Sequence, residues 1–404
     1  MGRAHYIRNG EEIDEASARS FPSSREHGLS HLEMSTIAAF NGFQLPSAST
    51  RQELMGFFMQ YCSRWMPIMH ENDVASILNG TSSPLLAQAL YVAATRVSSA
   101  PISPAEPSIK ERYERAKILF WMGHESNPIN SVKATLLMQW YNPEGPEHVS
   151  LDTSEFWMRT GVGLAYQIGL HKEPVQGPWY SMRRRIWWSL VARDSLISAA
   201  HGRPRAINLN DCEVSPPRAE DFHDPGNDGN LFVRYVEICR MLGDLTDYCN
   251  RGFLPSPQRF QMESALHRWL EDMPSDFRLS DTPGVENFAS RQLHLPYLMS
   301  VMIFARFTSK RVSRTAVLAA SYCAGIFETF LARDEIRFLA PVFTIYCISS
   351  GFTLLTLFDH PNLWSSAQTD MNIILKSLSQ LSKNWRSAIG GLKALQAAIK
   401  RKER

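Results

Sequence analysis

Between Phe156 and Ser198 apolar side chains recur at helical spacing over an unusually broad arc of the chain. Phe156, Thr160, Leu164 and Ile168 stand four residues apart, which defines one face of a helix. Asp152 and Glu155 offer a D-x-x-E form of the capping box at its start. Gly169, Leu170 and Pro174 supply a left-handed stop and a block to continuation. A second helix is predicted from Ser181 as N-cap to a stop at Gly202 and Pro204. On it Ile186, Leu190, Arg193 and Ile197 form one stripe, and Trp187, Val191, Asp194 and Ser198 form its neighbour. A helix apolar over so much of its circumference belongs inside a large core. Arg193 and Asp194 are then buried as well and need partners, because an unpaired interior charge costs several kcal/mol. Arg203, just past the helix end, is the predicted partner of Asp194.

The same period recurs along the rest of the chain. Helices are predicted at 32–40, 51–64, 84–96, 110–122 and 132–141 before the central pair, and at 231–248, 257–270, 292–310, 312–331 and 335–358 after it. Pro- and Gly-rich loops at 101–107 and 142–149 and an acidic loop with Asp221, Asp224 and Asp228 separate them. Nowhere does an apolar–polar alternation bounded by turn residues announce a strand, so the fold class is all-α, a multi-helix domain with Pro/Gly-rich loops. At the C-terminus Ile374, Leu378, Leu381, Trp385, Ala388, Leu392, Leu395 and Ile399 follow a heptad spacing. It reads as one amphipathic helix packed on the same domain, or as the seam of a homodimer, weakened at Gly390 and Gly391 by roughly 1 kcal/mol each. The chain divides into a mobile polar tail at 1–50, a helical domain at 51–358 and this last helix at 359–404.

The central run, RRRIWWSLVARDSLISAAHGRP, resembles the signature of the fungal-specific transcription factor domain, the regulatory middle region of fungal zinc-cluster factors. The resemblance is carried by Ala165, Gly169, Leu170, His171, Arg184, Arg185, Trp187, Trp188, Asp194, Gly202, Arg203 and Pro204, and weaker likeness extends from about Leu54 to about Phe358. It implies a nuclear, non-enzymatic regulator of transcription of a metabolic or biosynthetic pathway. Its expected partners are other regulators or coactivators, with a small-molecule effector as a further candidate. Arg184, Arg185, Trp187, Trp188, Arg193, Asp194, Gly202, Arg203 and Pro204 form the family signature, with a structural or regulatory role.

Composition narrows that expectation. The net charge of +2 over 404 residues gives no global pull toward nucleic acid or an anionic membrane. The cysteines Cys62, Cys212, Cys239, Cys249, Cys323 and Cys347 are scattered, with no C-x-x-C pair, so neither a disulfide framework nor the family's zinc cluster is expected and no cofactor is assigned. DNA contact is therefore expected to be absent or indirect, and no membrane partner is expected: the uncharged run 338–358 reads as a buried helix interrupted by Pro341 and Gly351.

Catalytic patterns do not assemble. Tyr113 and Lys117 match Y-x-x-x-K without a Gly-rich βαβ unit, and Gly161-x-Gly163 falls inside a helix, where close packing explains it. Asp244 and Asp247 read as a solvated face, and His171 as a packed or capping histidine. The cations Arg183, Arg184 and Arg185 sit at a helix start, where they oppose the macrodipole and need compensation from acidic neighbours, a partner or phosphates. Trp187 and Trp188 point about 100° apart on a helix, so base stacking by both is excluded. The rival reading is a helical enzyme or ligand-binding module whose site residues are dispersed in sequence.

Overall fold

A computed structural model describes residues 28–98, 106–174, 176–279, 287–308 and 313–404, so most of the predicted tail at 1–50 lies outside the described residues. Among the described residues there are fifteen α-helices and no strand. In chain order they are α1 (His31–Ala39), α2 (Ala48–Tyr61), α3 (Glu71–Asn79), α4 (Pro84–Arg96), α5 (Ile109–Trp121), α6 (Pro128–Met138), α7 (Ser154–Gln167) and α8 (Tyr180–His201). There follow α9 (Asn230–Asn250), α10 (Ser256–Glu271), α11 (Phe288–Thr308), α12 (Arg314–Ala332), α13 (Phe343–Leu354), α14 (Pro361–Leu381) and α15 (Arg386–Lys402).

The N-terminal helices gather around α4. Ser83 caps it by accepting from Leu86 N, Pro84 occupies the first turn, and every residue from Leu85 to Ala94 is buried. Helices α2, α5 and α6 surround it. From α6 the packing passes through α7 and α8 to α9, and from α9 to α11, which opens the C-terminal group α11–α15. Helix α8 is thus the link between the two groups. Its 22 residues span about 33 Å at ~1.5 Å per residue, and fourteen of them are buried. Trp187 is fully buried and Trp188 is 3% exposed.

Several elements differ from the sequence expectation. Helix α3 escapes it because its cap is His70, whose Nδ1 accepts from Asn72 N while Asp73 reciprocates to the His70 backbone. Lys133 then ties α3 to α6 through Asp73 at 2.6 Å. The predicted helix 335–358 is broken: Pro341 separates a short turn at Ile336–Phe338 from α13, and a second 3-10 turn closes it. The heptad helix is also two helices, because the chain bends at Ser382–Trp385. Ile374, Leu378, Leu381, Trp385, Ala388 and Leu395 are buried in the chain's own core, and Trp385 Nε1 donates to Leu339 O at 3.0 Å. The seam is turned inward and is not a surface offered to a second copy. Gly391 contributes to that packing, since a Cβ there would collide with Ile348 of α13; Gly390 meets nothing. One helix, α12, is long and apolar enough to cross a membrane by composition, and it packs against α11, α13 and α14.

Candidate functional site

The helix-start signals around α7 and α8 fall one or two residues from their predicted places. Thr153, rather than Asp152, caps α7, accepting from Phe156 N at 3.1 Å. Asp152 instead receives Tyr113 Oη and Lys117 Nζ, each at 2.7 Å, which gives the Y-x-x-x-K pair a structural use. Glu155 is released from capping and turns toward α8. The buried face of α7 carries Trp157, Met158, Gly161, Val162 and Ala165, displaced by one residue from the predicted stripe. Helix α8 begins at Tyr180 after Trp179, with no side-chain cap, so Ser181 lies inside it. The stops hold: Gly169 and Gly202 have φ of 70° and 65°, the left-handed region that glycine enters freely.

Two of the three cations at the start of α8 are hydrogen-bonded within the chain, and the third, Arg185, stands over a ring with its Nε unpartnered. Arg183 Nη2 donates to Ile168 O at 3.1 Å, the carbonyl of the residue that caps the end of α7. Arg184, 1% exposed, bonds both Asp221 oxygens at 3.1 and 3.2 Å and also Glu173 and the Tyr180 hydroxyl. Burial pushes the Glu173 carboxyl up, but Ser215 N, Tyr180 and Arg184 outweigh it and hold it down at about 2. Arg185 lies over the Phe222 ring at 5.3 Å; burial pushes its pKa down and Asp221 opposes. Trp188 Nε1 donates to Ser215 O at 2.7 Å and Arg240 covers its ring at 5.4 Å. Arg183 and Arg184 are thus hydrogen-bonded within the chain and neither Trp187 nor Trp188 is open to a base, while Trp179 at the cap is half exposed.

The far end of α8 shows how the Gly-Arg-Pro turn works. Asp194 does not pair with Arg203. It is 1% exposed and accepts Ala206 N at 3.0 Å and Ile207 N at 2.9 Å, so a buried carboxylate caps the exit loop through its backbone. Burial pushes its pKa up, and those N–H groups pull against the rise. Arg203 pairs with Glu155, which also receives Arg159 at 3.1 Å and lies 3.3 Å from His201 Nδ1. Burial raises the Glu155 carboxyl, and Arg203, Arg159 and His201 more than reverse it. Arg203 Nη2 also donates to Pro146 O and Arg159 Nη2 to Pro204 O, both at 2.7 Å. Arg205 bonds Asp244 at 2.7 Å and Asp247 at 2.6 Å, so these aspartates hold the loop to α9 rather than forming a solvated face. Four consecutive-loop anchors therefore fix residues 203–207 to α7, α8 and α9. His171 is packed against Tyr166 and Trp187, with ring centroids 5.0 and 6.3 Å away.

Arg193, too, forms no ion pair among the described residues: its Nε donates to Gln139 Oε1 at 2.9 Å, and no acidic side chain meets it. The counter-charges Glu155, Glu173 and Asp221 lie outside the signature, and the sequence pointed to them only through the requirement that buried arginines find carboxylates. Beyond the exit loop, residues 204–210 and the facing sides of α9 and α10 line an open cleft of about 800 Å³ with mixed walls, in which Asn208, Tyr248, Arg251 and Gln261 alternate with Ile207, Leu209 and Met262. Burial raises the thiols of Cys62, Cys239, Cys323 and Cys347, so they stay protonated. Among the described residues no group of three or more His, Cys, Asp or Glu could hold a metal ion.

The described residues thus form an all-α body organised on a buried helix, whose central side chains serve packing and internal pairing. Residues 55–268 match the fungal specific transcription factor domain, and the chain belongs to that family. It is 25% identical over 406 aligned residues to the cutinase transcription factor 1 alpha of Fusarium vanettenii, an alignment that covers 88% of this chain and 44% of that protein. It is 26% identical to the acetamidase regulatory protein of Aspergillus fumigatus, covering 85% of this chain and 48% of the relative. The cutinase transcription factor 1 beta of Fusarium vanettenii is 29% identical over 44% of this chain and 22% of its own length. The chain thus spans somewhat under half the length of the first two relatives. By description the family and these relatives are transcription factors, not enzymes. No solved structure matches the chain.

Proposed function

We propose that this chain is the helical regulatory region of a nuclear transcription regulator that controls a metabolic or biosynthetic pathway. The family match over residues 55–268, centred on the α7–α8 signature, is the observation that carries this reading. Relatives named for cutinase and acetamidase control support the assignment to pathway genes. Residues 51–358 form the regulatory domain, with 359–404 packed on the same body. The signature residues Arg184, Arg185, Trp187, Trp188, Arg193, Asp194, Gly202, Arg203 and Pro204 maintain its frame rather than touching DNA, a reading supported by the burial of Arg184, Trp187, Trp188 and Asp194 and by the Arg203–Glu155 pair, although Gly202, Arg203 and Pro204 lie at the surface. DNA contact by these residues is absent or indirect, and other regulators or coactivators contact their outer surface.

Tethering tests this directly. Fused to a foreign DNA-binding domain, the chain changes transcription of a reporter carrying that domain's site, and Asp194→Ala alters the response. The purified chain gives no sequence-selective shift of DNA; a salt-sensitive, sequence-selective shift would contradict the reading. A tethered chain that leaves the reporter at the level of the foreign domain alone would also contradict it.

A further inference from the structure

The fully buried cations Arg112, Lys133, Arg184 and Arg291 each meet a carboxylate: Glu106, Asp73, Asp221 and Glu335. Arg193 has none. Its one hydrogen bond is to a neutral amide, Gln139, and its terminal amino groups donate to nothing among the described residues. The titratable groups around it are Tyr235, Cys239 and Tyr346, and burial pushes each of them up, so all are neutral. A guanidinium stays protonated even when burial lowers its pKa. A positive charge without a counter-charge therefore sits between the two groups of helices, where it costs several kcal/mol unless an anion or water answers it.

Arg193 lines a cavity of about 100 Å³ that α8 shares with α13. Leu196 and Ile197 form the floor, and Val342, Ile345 and Ile348 the roof. On the roof Thr344 is 3% exposed and its hydroxyl has no partner, a second group in want of an acceptor or donor. The volume is room for about three waters at ~30 Å³ each, the scale of a short-chain organic acid and too small for a lipid or a nucleotide. One guanidinium on an otherwise mostly apolar wall suits a monoanion with an apolar body.

We propose that this cavity is a binding site for a small organic monocarboxylate, with Arg193 taking the carboxylate and the apolar floor and roof enclosing its body. The floor belongs to the family-matched segment and the roof lies beyond it, so an occupant bridges the two groups of helices. His201, which lines the same cavity and contacts Glu155, places the occupant beside the Gly-Arg-Pro latch. The site goes beyond the transcriptional reading and is tested independently of it, on the purified 404-residue chain.

Calorimetric titration with sodium propanoate and sodium butanoate, against propanamide and butanamide, is the test. Saturable binding of at least one carboxylate is expected, at least about tenfold tighter than its amide, because the amide cannot form the charge-assisted pair. Arg193→Gln weakens carboxylate binding by at least about tenfold and leaves amide binding unchanged. Should that variant fail to fold, Thr344→Leu fills the cavity from the roof, keeps Arg193 in place, and abolishes saturable binding. Absence of saturable binding by either acid, equal binding of acid and amide, or undiminished binding in Arg193→Gln or Thr344→Leu overturns the proposal.

Discussion

Replacing Asp194 by Asn isolates what holds the exit loop. The two carboxylate oxygens each receive one backbone N–H, from Ala206 at 3.0 Å and Ile207 at 2.9 Å, and the side chain is 1% exposed. An amide keeps one acceptor and turns a donor toward the other N–H. That loss costs about 1–2 kcal/mol, the lower part of the range for leaving a buried donor unpaired, because neutralisation also removes the cost of burying a charge. Asp194→Ala strips both acceptors and costs about 2–4 kcal/mol. Urea unfolding followed by the fluorescence of the ten tryptophans gives these numbers. A double-mutant cycle then separates the partners. Asp194→Asn and Arg203→Gln add within about 0.5 kcal/mol, as sites without a shared bond do, whereas Glu155→Gln and Arg203→Gln couple by on the order of 1 kcal/mol. Asp194→Asn within about 0.5 kcal/mol of the parent, or coupling to Arg203 above about 1 kcal/mol, would refute the reasoning.

Three further outcomes follow from the same frame. Asp221→Ala removes a carboxylate from a guanidinium that is 1% exposed and destabilises by about 3 kcal/mol, while Arg184→Met, which keeps the volume and removes the charge, costs less; calorimetric melting ranks them. Gly161→Ala drives a Cβ into Thr135 Oγ1 and lowers stability by about 1–3 kcal/mol, whereas Gly163→Ala meets no atom within 4 Å and gains up to about 1 kcal/mol of helix propensity, both read by thermal melting. The Glu173 carboxyl sits at about 2 in the folded chain against an ordinary 4.5, so the unfolded chain takes up the proton first. Its contribution is complete above about 4.5 and is lost as the pH falls toward 2, and Glu173→Gln flattens the stability–pH profile across that window.

The elements legible in the sequence were those with strong local punctuation. Ser83-Pro84 and the glycines at 169 and 202 mark their helix ends correctly, and the breadth of apolar positions on α8 announces its burial. What the sequence hid was tertiary. Arg203 is near Asp194 along the chain, yet Glu155 of α7 reaches it first, because the left-handed Gly202 turns Arg203 back toward the start of α7. Asp194 satisfies itself on backbone N–H groups, which no residue pattern displays. Asp244 and Asp247 looked solvated because their helical spacing shows only their own face, not the Arg205 that arrives from the exit loop. The heptad spacing persists across the bend at Ser382–Trp385, since both helices press the same kind of seam on one core. Arg193 is visible as a charge among apolar residues, but only the packed structure shows that no acid comes to it.

Hydrogen exchange of α8 tests the central claim most directly. If this helix is the interior link between the two groups of helices, the backbone amides of Ile186–Ser198 exchange only through global opening and stay protected longest, while those of α1, largely exposed around Leu32 and Met34, exchange first. Mass spectrometry showing α8 exchanging as fast as α1 would contradict the account.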